Sequence, residues 1–208
     1  MSSESAPSPQ QLLPSALYAI VDPTQSRGRT LNSILQDLLK GGALWIQLRA
    51  KETTSNEFFQ LARAARQLTR EAGALFIVND RADIAQATQA DGVHLGQDDL
   101  PLGVARRLIR EKIIGISTHD LAQAQEAERG GANYIGFGPI FGTATKETGY
   151  SGRGLTMLRE IRRAVKVPIV AIGGITENNV TQVWEAGADA AAMISRSEER
   201  RVGKECRL

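Results

Sequence analysis

The segment Gln47-Leu48-Arg49-Ala50-Lys51 spaces an amide and two cations two residues apart. In an extended chain that spacing puts Gln47, Arg49 and Lys51 on one side for as long as the strand lasts. Such a trio suits a polyanion, because a guanidinium grips phosphate oxygens in pairs and an ammonium acts as a point charge. The segment equally fits a solvated, charged loop. Two carboxylate clusters come next, Val78-Asn79-Asp80-Arg81 and the run from Asp91 to Asp99. Asn79, Asp80, Asp98 and Asp99 would each serve as a helix N-cap. Asp80 and Asp99, however, follow the third and fourth apolar runs of the chain. If those runs are neighbouring strands, the two carboxylates can share one Mg²⁺, which takes few protein oxygens and completes its shell with water and phosphate. Beside Arg49 and Lys51, that describes a diphosphate pocket.

Two further segments carry polar or backbone groups toward the same end of the molecule. Gly138 to Lys146 (GPIFGTATK) forms a long loop with two hydroxyls and a cation, or else a plain surface loop. Gly173-Gly174 after the seventh run lets backbone N–H groups approach a phosphate, or lets strand and helix pack closely. His94 lies within a strand-like run and reads as structural. His119 follows Ser117-Thr118 and either faces the same mouth or simply opens the next helix. Neither histidine has a matching Cys or Ser, so nucleophilic catalysis lacks support.

The elements that must position these residues alternate along the chain. Eight short apolar runs start at Leu17, Leu44, Leu75, Gly92, Ile113, Tyr134, Pro168 and Ala190. Helical periodicity falls between them, over Thr30–Lys40, Ser55–Ala72, Arg81–Thr88, Pro101–Arg110, Asp120–Arg129, Leu155–Val165 and Glu177–Ala186. Near-continuous apolar strands alternating with helices predict a parallel sheet buried on both faces. Eight units favour closure into an α/β (β/α)8 TIM barrel over an open sheet. Gln47, Asn79, Asp80, Ser117 and Gly173 all fall at or just past strand C-terminal ends, the rim that carries the chemistry of such barrels.

With 208 residues the barrel must be compact, since such folds usually need about 250. Residues 1–14 read as a disordered tail and 15–195 as the barrel domain. A closing helix is expected after the eighth strand, but residues 196–208 (RSEERRVGKECRL) offer no amphipathic face. The eighth helix therefore reads as missing. The 25 Lys/Arg and 23 Asp/Glu give a net charge of +2, and setting aside the five cations and three acids of residues 196–208 leaves a neutral body. That balance, with 5% aromatic residues, gives no footprint for nucleic acid. The chain lacks both a signal-peptide pattern and an apolar run of bilayer length, so a cytoplasmic protein with no membrane partner is expected. The lone Cys206 excludes an internal disulfide. No oligomeric state is legible.

The ordered segments QLRAK, VND, DGVHLGQDD, GIS, GPIFGTATK, VAIGGI and MIS resemble the thiamine phosphate synthase family over nearly all of Leu17 to Ser195. The resemblance implies a Mg²⁺-dependent condensation of two small molecules, hydroxymethylpyrimidine diphosphate and thiazole phosphate, to thiamine phosphate and pyrophosphate. It assigns the pyrimidine diphosphate to Gln47, Leu48, Arg49, Ala50, Lys51, Asn79, Ser117 and Lys146. Mg²⁺ falls to Asp80 and Asp99. Thr143, Ala144 and Thr145 would lie along the thiazole phosphate, with Gly174, Ile194 and Ser195 binding it mainly through backbone groups. Arg49, Lys51 and Lys146 become the catalytic cations. The family commonly has Glu where Ala50 stands, so one ion-pair partner is lost here. A thiazole tautomerase is the nearest enzymatic alternative, and a phosphate-binding barrel without activity the non-enzymatic one. Residues 196–208 look like a translated sequencing adapter, so they read as non-native, and the barrel domain as cut off after its eighth strand. An unstable, weakly active chain is expected on that reading.

Overall fold

The computed structural model describes residues 13–26, 28–142 and 152–194. The expectations for Thr143, Ala144, Thr145, Lys146, Ser195 and the span 196–208 lie outside the described residues, as does most of the proposed N-terminal tail. Eight strands run parallel: β1 (Leu17–Val21), β2 (Trp45–Leu48), β3 (Leu75–Asn79), β4 (Gly92–Leu95), β5 (Ile113–Thr118), β6 (Tyr134–Phe137), β7 (Ile169–Ile172) and β8 (Ala190–Ile194). They pair in chain order, and β8 returns to β1 through Leu17↔Ala191 to Ile20↔Ile194, closing the barrel.

The twofold period of each strand divides its side chains between two apolar layers. Val21, Ile46, Leu48, Phe76, Val78, Val93, Leu95, Ile135 and Phe137 point outward and meet the helices. Tyr18, Ile20, Trp45, Ile77, Tyr134 and Val170 point inward and fill the barrel. Both layers are buried, which is why the strands read as unbroken apolar runs rather than alternating ones.

Seven helices cover the outside among the described residues: α1 (Leu31–Lys40), α2 (Ser55–Glu71), α3 (Ala82–Ala87), α4 (Leu102–Ile109), α5 (Leu121–Arg129), α6 (Gly154–Ala164) and α7 (Val180–Glu185). None is long and apolar enough to cross a membrane. α2 starts at Ser55 as expected, and the other starts fall within one residue of the sequence reading except that of the seventh helix. Thr54 caps α2, because Thr54 and Glu57 form a reciprocal capping box. Pro101 precedes α4 instead of opening its first turn. The seventh helix begins at Val180 rather than Glu177, because the Asn179 side chain accepts the Thr176 N–H and closes a turn there first.

Inside the barrel, small residues make room for large ones. Gly115 on β5 is the register partner of both His94 on β4 and Tyr134 on β6. A Cβ at Gly115 would sit 2.1 Å from Cζ of Tyr134. Gly115→Val is expected to overpack this layer and destabilise the fold by about 1–3 kcal/mol. Chemical denaturation of the variant checks this, and an unchanged midpoint would refute it.

Candidate active site

The C-terminal ends of the strands surround a cavity of about 530 Å³. Gln47, Arg49, Asn79, Ser117, Gly174 and Ile194, six of the residues named from the sequence, line it. Leu48 and Ala50 do not turn toward it. Their side chains are buried in the layer between barrel and helices, so only their backbone groups are available to a ligand. This is the strand alternation carried past the end of β2.

The rim beside this cavity carries the acidic pair. The Asp80 carboxyl interacts with that of Asp99, which follows the neighbouring strand. Lys51 Nζ lies 3.1 Å from Asp80 Oδ2. Asp99 accepts the Gly96 N–H at 2.6 Å, and a Cβ at Gly96 would press on that carboxylate at 3.0 Å. Burial pushes the Asp80 carboxyl above its ordinary range, the Asp99 carboxyl adds to this, and Lys51 opposes it. Asp80 also holds a left-handed backbone, φ 63°, while its N–H donates to the His94 carbonyl at 2.8 Å. A non-glycine residue held there is uncommon, and such positions gather at functional sites.

Two consequences follow for stability. A raised carboxyl favours the folded state at low pH, below the ordinary carboxylate range, and that contribution is lost as pH rises through the shifted value. Asp80→Asn removes the charge and keeps a side chain tolerant of left-handed backbone. It is therefore expected to raise the Tm of the metal-free protein at neutral pH. The gain should fade as pH falls and the native Asp80 takes up its proton. A Tm lower than wild type at pH 7 would contradict the burial argument.

Next along the mouth, at the ends of β1 and β2, Arg49 Nη1 pairs with Asp22, a carboxylate only 2% exposed. Asp22 also accepts from Thr24 N and Oγ1, which fixes the turn after β1. Gly173 and Gly174 both have positive φ, and a Cβ on either would strike the 139–142 segment at 2.6–2.7 Å. Close packing thus accounts for the glycine pair, and Gly174 remains on the cavity wall. His119 lines the cavity while its Nδ1 lies 2.7 Å from the Gly138 carbonyl oxygen and its N–H donates to Gln123. It therefore faces the mouth and also anchors the start of α5. Asp98, weighed with Asp99 as a helix cap, makes no cap to α4, whose first residue follows Pro101.

A family model described as thiamine monophosphate synthase matches residues 17–196. The chain belongs to this family. It is 48% identical over 179 residues to the thiamine-phosphate synthase of Chloroflexus aurantiacus, covering 86% of this chain and 83% of the relative. The thiamine-phosphate synthase of Moorella thermoacetica is 50% identical over 180 residues, with 86% of each chain covered. Among solved structures, the thiamine phosphate pyrophosphorylase of Pyrococcus furiosus superposes with a TM-score of 0.79 at 41% identity, over 91% of this chain and 88% of that one. The chain is thus an enzyme, a transferase with thiamine-phosphate synthase function.

Several residues of this thiamine monophosphate synthase family member escaped the sequence reading. Asp22 follows β1 much as Asp80 follows β3, a signal that was available. Tyr18 and Tyr134 look like ordinary apolar strand members, yet their hydroxyls meet at 2.9 Å inside the barrel. His94 is held by neighbours, as a structural residue would be, but it also lines the cavity.

Proposed function

We propose that this enzyme joins hydroxymethylpyrimidine diphosphate to thiazole phosphate, releasing pyrophosphate, with Mg²⁺ held by Asp80 and Asp99. The observation that carries the reading is the crowded pair Asp80–Asp99 beside Lys51, at the edge of a cavity lined by Arg49, Gln47 and Ser117. Burial and the neighbouring Asp99 carboxyl hold Asp80 above its ordinary range, and a divalent cation shared by the two would offset both. The set of hard oxygen donors fits Mg²⁺. When bound, Mg²⁺ supplies positive charge against which the departing diphosphate is stabilised.

The chain's own residues account for the remainder. Lys51 and Arg49 face the place where negative charge grows as the bond from the pyrimidine CH₂ carbon to the diphosphate oxygen breaks. Charge that develops in the transition state is where fixed cations act most strongly. Lys146 is assigned the same role on the family pattern. Gln47, Asn79 and Ser117 orient the pyrimidine half, while Gly174, Ile194, Thr143, Ala144, Thr145 and Ser195 are assigned to the thiazole phosphate. The attacking thiazole nitrogen carries no proton. The reaction needs positioning and electrostatics rather than a general base.

Pyrophosphate release measured with both substrates, with each alone, and with and without MgCl₂ tests the proposal. Release that requires both substrates and Mg²⁺, matched by thiamine phosphate formation, is expected. Interconversion of thiazole phosphate tautomers without condensation would overturn it, as would binding of the phosphates with no turnover.

A further inference from the structure

The cavity floor carries a line of hydrogen bonds for which the proposed reaction has no stated use. Gln47 Nε2 donates to the Tyr18 hydroxyl at 2.7 Å. The Tyr18 and Tyr134 hydroxyls are 2.9 Å apart, and the Tyr134 hydroxyl lies 3.0 Å from His94 Nδ1. His94 Nε2 in turn lies 2.9 Å from Ser117 Oγ. Five residues from five strands are joined end to end.

Each hydroxyl has one hydrogen to give. Both tyrosines are buried, and burial pushes their hydroxyls well above the usual phenol range, so each keeps its hydrogen. With Gln47 Nε2 as the donor at one end and a neutral imidazole at the other, a consistent line runs one way. Tyr18 accepts from Gln47 and gives its hydrogen to Tyr134. Tyr134 gives its own to His94 Nδ1. An accepting Nδ1 places the hydrogen of a neutral imidazole on Nε2, which then donates to Ser117 Oγ. What is left over faces the cavity: the Oε1 of Gln47, an acceptor, and the hydroxyl hydrogen of Ser117, a donor. The aromatic parts are fixed by packing. Tyr18 stacks on Trp45 with ring centroids 4.0 Å apart, and Gly115 and Gly136 leave the space that Tyr134 and His94 fill.

We infer that Tyr18, Tyr134 and His94 are positioning residues, a one-way relay that sets Gln47 as acceptor and Ser117 as donor toward the substrate. This rests on the proposed function, and it names what the floor selects: a flat ring offering an amino N–H to Gln47 with a hydrogen-bond acceptor toward Ser117. An aminopyrimidine diphosphate offers both. A ligand with the opposite pattern would meet like against like, which a buried site rejects strongly.

The relay predicts that a change at one end is felt at the other. Nitrogen NMR of the histidine rings, with His94 assigned through a His94→Gln variant, should find the hydrogen on Nε2 in the wild type. Gln47→Glu presents only acceptors to Tyr18. Every bond should then reverse and bring a hydrogen onto His94 Nδ1. Adding Tyr134→Phe should abolish that response. A wild-type His94 with its hydrogen on Nδ1 overturns the proposal, as does a Gln47→Glu protein whose imidazole is unchanged. Kinetics give a second readout. Tyr134 is absent from the cavity wall, so Tyr134→Phe removes no substrate contact. It should nevertheless raise KM for the pyrimidine diphosphate about tenfold, the loss of roughly one well-placed hydrogen bond, with KM for the thiazole phosphate unchanged. Equal KM values for Tyr134→Phe and wild type would reduce the tyrosines to packing. If the wild type fails to turn over these substrates, the proposed function falls, while the imidazole measurement still decides the relay.

Discussion

Asp80→Ala is expected to lower Mg²⁺-dependent turnover by about 100- to 1000-fold at saturating substrates, the scale on which one electrostatic group is lost from a transition state. The substitution removes one of two oxygen donors proposed for the cation and releases Lys51, which lies 3.1 Å away. Asp99→Asn should lose activity on the same scale, and the double variant little more, because the two carboxylates act as one unit. The variant should also lose the Mg²⁺ dependence of pyrimidine diphosphate binding, read by calorimetry with and without the ion. Wild-type turnover in Asp80→Ala would remove the cation from these residues, whatever the reaction proved to be.

Arg49→Ala should damage both fold and turnover, by separable routes. Asp22 is 2% exposed and loses the guanidinium that neutralises it. A buried charge left without its partner costs about 3 kcal/mol, the lower end of the usual range, since the Arg49 side chain is 25% exposed. The catalytic loss is expected at about 100-fold or more, because a fixed cation disappears from the cavity wall. The combination Asp22→Asn with Arg49→Ala separates the two effects. Denaturation should return toward wild type while turnover stays low. Turnover that recovers together with stability would show that Arg49 serves the fold alone.

The barrel was legible because each strand is buried on both faces and therefore keeps an apolar signature, from Leu17–Val21 to Ala190–Ile194. Where local hydrogen bonds compete with the helix, as at Thr176 and Asn179, periodicity placed the boundary too early. The rim residues were legible for a different reason. Asp80, Asp99, Arg49 and Lys51 are charged residues at strand ends, where an apolar pattern stops. The floor was not legible. Tyr18 and Tyr134 stand 116 residues apart, and each looks like core filling until closure of the barrel points both inward. Asp22 is also a charged residue just past a strand, but its pairing with Arg49 beyond β2 emerges only in three dimensions.

The opposed orientation of neighbours at the end of β2 makes the active site sensitive to chain length rather than to composition. Gln47 and Arg49 face the cavity while Leu48 and Ala50 pack beneath the helices. One residue inserted within Trp45–Leu48 would exchange these two populations, driving charge into the hydrocarbon layer and presenting leucine to the substrate. Insertions and deletions are confined to the connecting turns, where no such parity has to be kept.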